Sequence, residues 1–174
     1  MQQIIGRKRV YSSPWINLEK VDLRLPSGKI IEHNLIDTKN HSVGAVVFKD
    51  NKFALIRNFR FATNELSWEI PGGWMKDGER ALEAVQKKVE QETGYSVENI
   101  ERLGEGKPWM GISNKEHFYF MIDLGRKINM HDSDFVKEVR FFNFNKIESM
   151  VKRGHITDQS TLTGLFLAKL HKNL

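Results

Sequence analysis

Residues 73–95 read GWMKDGERALEAVQKKVEQETGY. Gly72, Gly73 and Gly78 stand at the front of this stretch, and Gly94 stands at its back. A glycine in that last place readily takes the left-handed conformation that ends a helix. Between the glycines the spacing predicts one amphipathic helix. Leu82, Val85 and Val89 fall at i, i+3 and i+7 and predict an apolar stripe. Lys88 and Glu92 lie one turn apart on a neighbouring face, with Gln91 beside them. A glycine turn lets a ligand approach the backbone closely, and the helix behind it can supply oxygen ligands. Together they can form a site for a diphosphate with metal ions.

The same stretch resembles the Nudix box, GX5EX7REUXEEXGU, in which U is a bulky apolar residue. Gly73, Glu79, Val89, Glu92, Gly94 and Tyr95 fall on their positions, and the spacing holds throughout. Three positions depart from it. Lys87 stands for the box arginine, Lys88 for the first glutamate after it, and Gln91 for the first of the paired glutamates. The resemblance implies that, of the acidic residues that hold magnesium in family enzymes, Glu92 alone is kept. Lys87 retains the positive charge of the box arginine, and the expectation is that it braces the loop against Glu79.

Ahead of the box, Ile16 to Leu25 alternates with period two, Pro26-Ser27-Gly28 turns, and Lys29 to Ile36 returns as the second arm of a hairpin. Residues 42–49, SVGAVVFK, are almost continuously apolar and predict a strand buried on both faces. The order Arg57-x-x-Arg60, then Trp68-Glu69-Ile70-Pro71-Gly72-Gly73, is similar to the ADP-ribose pyrophosphatase branch of the Nudix superfamily. That resemblance implies substrate phosphate contacts for Arg60, a place at the substrate and metal site for Glu69, and a backbone carbonyl offered to a metal by Gly72. A guanidinium suits the phosphate role because its planar fork donates two parallel hydrogen bonds.

Behind the box, Val97 to Leu103 and His117 to Leu124 predict strands, with the loop Pro108 to Asn114 between them. Trp109 in that loop is a candidate for stacking on a base or ribose. Asp132 and Asp134 lie where the family places an acidic loop carrying a catalytic base. Asn145 to Gly154 predicts a short helix, and Leu162 to His171 a last one whose stripe is Leu162, Leu165, Phe166 and Leu170.

A chain of 174 residues suits one domain with a small extension, and 40% hydrophobic residues suffice for a core. No apolar run reaches the length of a membrane span, and the first residues lack the apolar centre of a signal peptide. With no cysteine, disulfides and thiolate metal sites are excluded, and a cytoplasmic protein is expected. The formal charge of +5 favours anionic ligands, but the basic residues are scattered, so no nucleic-acid partner is expected.

The expected fold is an α/β sandwich with a mixed central sheet. Residues 1–40 form an N-terminal β-extension that can cross to a partner in a homodimer, and 41–174 form the Nudix domain. The expected function is metal-dependent hydrolysis, with magnesium or manganese, of a nucleotide-sugar or ADP-ribose-like pyrophosphate. Glu92 and Glu69 are its catalytic candidates. Arg60, Glu69, Gly72, Gly73 and Trp109 are the substrate contacts, and Glu92 and Gly72 are the remaining metal ligands. Lys88 and Gln91 impair that site. The alternatives are a nucleotide-binding or regulatory protein without turnover, or a purely structural dimer partner.

Overall fold

Asp50 and Asn51 both adopt positive φ, and so turn the chain between two strands, β4 (Ser42–Lys49) and β5 (Lys52–Arg60). The structure is a computed structural model that describes residues 1–128 and 134–172. It divides into two units, Met1–His41 with Lys107–Glu116, and Ser42–Gly106 with His117–Leu174.

The first unit is an antiparallel sheet of β1 (Gln3–Ser12), β2 (Asn17–Arg24) and β3 (Ile30–Asp37), in that order. The period-two pattern of β2 puts Val21 inside, at 1% exposure. Gly28, at φ 83°, makes the turn between β2 and β3. The segment Lys107–Glu116 is tied to β3 by the Ile36 amide on the Ile112 carbonyl (2.7 Å) and by His33 Nε2 at the Gly111 carbonyl (2.9 Å). Along β1, Ile4, Ile5, Val10 and Tyr11 are exposed.

The second unit holds the seven-stranded sheet. Its main path runs β10 (Val136–Phe142), β5, β4, β9 (His117–Lys127), β8 (Tyr95–Gly106). β4 is parallel to β9 and antiparallel to β5, so the sheet is mixed. One face packs on α1 (Ala81–Thr93) through Val43, Ala45, Val47, Phe120 and Ile122 against Ala84, Val85 and Val89. The other packs on α2 (Phe144–Lys152) and α3 (Gln159–Lys172) through Val46, Leu55 and Tyr119 against Ile147, Met150, Leu165 and Ala168. The strand β4 serves both cores by alternation, as its continuously apolar sequence requires.

Two helix stripes differ from the sequence reading. On α1, Leu82 is 44% exposed, and Ala84 takes the inward place beside Val85 and Val89. On α3, Phe166 and Leu170 are exposed, and the buried residues are Thr161, Gly164, Leu165 and Ala168. The reason is close approach. A Cβ on Gly164 would lie 2.9 Å from Ile70 Cδ1 and 3.3 Å from Val46 Cγ2, so only a small residue fits between α3 and the sheet.

The feature that positions the site is a parting of β4 from β5. Their ladder covers only Val47–Lys49 against Lys52–Ala54. Beyond it, β6 (Glu65–Glu69) pairs with the far half of β5, and β7 (Gly72–Trp74) pairs with the near half of β4. Ile70 and Pro71 join β6 to β7 across the opening, where the Pro71 carbonyl accepts the Ala45 amide at 2.9 Å. Among the described residues, no helix is long and apolar enough to cross a membrane.

Candidate active site

On β5 the residues facing α1 continue Ala54, Ile56, Asn58, Arg60 by period two. The first two are apolar and buried, while the last two are polar and meet Glu69 at the end of β6. Arg60 Nε donates to Glu69 Oε1 at 2.7 Å, and its Nη2 donates to Oε2. Asn58 Nδ2 also donates to Oε2, at 3.2 Å. Glu69 is only 3% exposed, so its charge depends on these donors. The Arg60 guanidinium is about half exposed, and the Glu69 hydrogen bonds raise its pKa. Asp158 and Glu92 act on Arg60 in the same direction, which places both carboxylates in its electrostatic neighbourhood.

The glycine strand follows. Gly72 stands opposite Gly44 and Gly73 opposite Val43 in the β4–β7 ladder. A Cβ on Gly72 would sit 2.3 Å from the Val43 carbonyl oxygen and 2.9 Å from Gly44 Cα, so no other residue fits there. Glu92 Oε2 accepts the Gly72 amide at 2.9 Å, which fixes the last turn of α1 on β7. One turn earlier on α1, the Lys88 stem lies along Gly73. A Cβ there would meet Lys88 Cε at 3.3 Å and Nζ at 3.5 Å. Gly94 then ends α1 at φ 73°, its amide on the Glu90 carbonyl. Glu79 accepts the Lys76 amide at 2.8 Å and holds the turn before α1 by a backbone contact, while Lys87 points to solvent.

The structure thus gathers Arg60, Glu69, Gly72, Gly73, Lys88 and Glu92 around the parting of β4 and β5. Trp109 belongs to the first unit, where it is half exposed and its carbonyl accepts the Ile112 and Ser113 amides. Asp134 is exposed just before β10, and its carbonyl accepts the Lys137 ammonium. Asp132 lies outside the described residues.

Three further residues belong to the neighbourhood. Asn58 could have been read from the alternation of β5. Asp158 carries the Asp-x-x-Thr signature of a helix start: its Oδ2 accepts both the amide and the hydroxyl of Thr161 at 2.7 Å. Thr161 Oγ1 in turn accepts the Ile70 amide at 3.0 Å, tying α3 to the β6–β7 junction. His117 has no sequence signal. It is buried at the start of β9, with Nδ1 2.8 Å from Ser42 Oγ and its ring centroid 4.5 Å from that of Tyr119, the two rings tilted at 46°. Burial pushes its pKa down to about 4, against the opposing charge of Asp158.

The described residues do not by themselves assemble a site for a divalent ion. Magnesium needs oxygen ligands in near-octahedral array. Among the described residues, no three of His, Cys, Asp and Glu cluster so as to hold an ion. Glu69 accepts from Arg60 and Asn58, and Glu92 Oε2 accepts from the Gly72 amide. The Lys88 ammonium beside Gly73 would repel a divalent ion in the same cradle by roughly several kcal/mol at an effective dielectric near 20.

The chain is similar to the CMP-5'-(N-acetyl-N-hydroxy-3-aminopropyl)phosphonate hydrolase of Streptomyces rubellomurinus, at 22% identity over 92% of this chain and 78% of that protein. It is similar to the ADP-ribose pyrophosphatase of Bacillus subtilis, at 21% identity over 99% of this chain and 95% of that one. A crystal structure of an ADP compounds hydrolase has the same fold, with a TM-score of 0.86 at 17% identity, covering 97% of this chain and 92% of that one. The NUDIX domain matches residues 38–163. That span contains the parted strands, the glycine strand and the helix seated on it, and by this match the chain belongs to the Nudix family.

Proposed function

We propose that this chain is a Nudix pyrophosphohydrolase acting on a nucleoside diphosphate linked to a second group, with ADP-ribose as the reference compound. The observation that carries the reading is the 2.9 Å contact between Glu92 and the Gly72 amide. It seats the acidic end of the box helix on a glycine strand whose Gly72 has no room for a side chain. The names of the relatives support a nucleotide substrate, one being a hydrolase of a CMP-linked compound and the other a pyrophosphatase of ADP-ribose. Turnover is slow, because Lys88 and Gln91 stand where the resemblance places two magnesium-holding carboxylates. The need for magnesium or manganese rests on the resemblance, and the described residues give no cluster to hold either ion.

A second reading, nucleotide binding without turnover, is favoured by the Lys88 stem lying over Gly73. One experiment separates the two. The purified protein is incubated with ADP-ribose and excess magnesium or manganese, and AMP and ribose 5-phosphate are sought, with Glu92→Gln run in parallel. Product that disappears in the variant is the expected result. No product, with ADP-ribose still raising the melting temperature, sinks the hydrolase reading and leaves the binder.

A further inference from the structure

A diphosphate entering at β7 needs positive charge, and the structure limits where that charge can come from. Arg60 carries a fork suited to phosphate, but two of its donors are committed to the buried Glu69. Removing them would leave Glu69, among the described residues, with the Asn58 amide as its donor in a desolvated position, a costly exchange. Among the described residues the carboxylates do not assemble a metal site. Lys88 differs from both. Its stem runs along Gly73, and its Nζ lies 3.5 Å from where a Gly73 side chain would begin. Gly73 has a φ of 151°, so a side chain there would be strained as well as crowded. The strand therefore keeps its backbone bare on the side where the ammonium lies. The Glu92 contact with the Gly72 amide, one helical turn on, holds α1 at that distance. An ammonium is a compact point charge with three donors, and it binds phosphate without the planar geometry that Arg60 spends on Glu69.

We propose that the Lys88 ammonium is the cation that binds the diphosphate at the Gly72–Gly73 strand, so that binding needs no divalent metal, and that Arg60 acts as the holder of Glu69. This rests on the reading that the site takes a diphosphate-linked nucleoside.

The test is titration calorimetry in a chelating buffer, with inorganic pyrophosphate and ADP-ribose as separate probes. The proteins are the wild type, Lys88→Met, Lys88→Arg, and Lys52→Met as a control of equal charge loss on the exposed start of β5. The wild type and Lys52→Met should bind both probes without metal. Lys88→Met, which keeps the aliphatic stem, should bind about tenfold or more weakly, the loss of one charge-assisted contact. Lys88→Arg should retain most of the binding, which shows that charge and not packing was removed. Unchanged affinity in Lys88→Met overturns the inference. ADP-ribose binding that appears only when magnesium is added overturns it too, and leaves the proposed substrate standing. Pyrophosphate binding that depends on Lys88, with no ADP-ribose binding, upholds the inference and sinks the substrate. No binding of either probe under any condition ends both.

Discussion

His117 is a residue whose chemistry the fold changes. It is 7% exposed, and its Nε2 finds no hydrogen-bond partner among the described residues. Burial therefore favours the neutral ring, and the pKa falls from 6.5 to about 4. In the unfolded chain the same ring takes up its proton near the ordinary value. Between the two values the unfolded state binds more protons, so this contribution to stability is complete above pH 6.5 and is lost as the pH falls toward 4. From about pH 7 to about pH 4.5 the wild type should lose about 2–3 kcal/mol more than His117→Leu, measured by denaturant unfolding. An equal acid loss in both proteins would show that His117 is not the group responsible. Residues of this kind are hard to read from a sequence. The box framework was legible because its glycines and Glu92 keep fixed spacing. The Arg60–Glu69 pair was not, because it depends on which strand lies beside β5. The pairing of β5 with β6 is what sets Arg60 beside Glu69.

At the scale of elements, α3 shows why apolar periodicity can pick the wrong face. Counting large side chains selects Phe166 and Leu170, both of which are exposed. The helix instead lies close to the sheet on Thr161, Gly164 and Ala168, with Leu165 filling the flank. Replacing Gly164 by Leu should cost about 1–3 kcal/mol in thermal or denaturant unfolding, even though leucine is the better helix former. Phe166→Ala should stay within about 0.5 kcal/mol of wild type. The reverse order would contradict the assigned faces. The strands β2, β3, β4, β8 and β9 were legible from alternation and from continuous apolar runs. The short β6 and β7 were not, since five and three residues around Pro71, Gly72 and Gly73 carry the marks of a turn. They become strands because the parted edges of β4 and β5 need partners for their backbone groups.

Across the whole molecule, the class of fold followed from the alternating strands and amphipathic helices, whereas the strand order followed only from the family resemblance. Sequence periodicity says which residues point inward, but not which strand becomes whose neighbour. The consequence is functional, since the opening between β4 and β5 is what brings the glycine strand against α1. The central claim is that this strand receives the diphosphate of a nucleotide. Its most direct test is a titration of isotope-labelled protein with ADP-ribose, followed through the backbone amide resonances. The account predicts that the largest shifts fall on Gly72, Gly73, Lys88 and Glu92. Shifts confined to other parts of the chain, or none at saturating ligand, would contradict it.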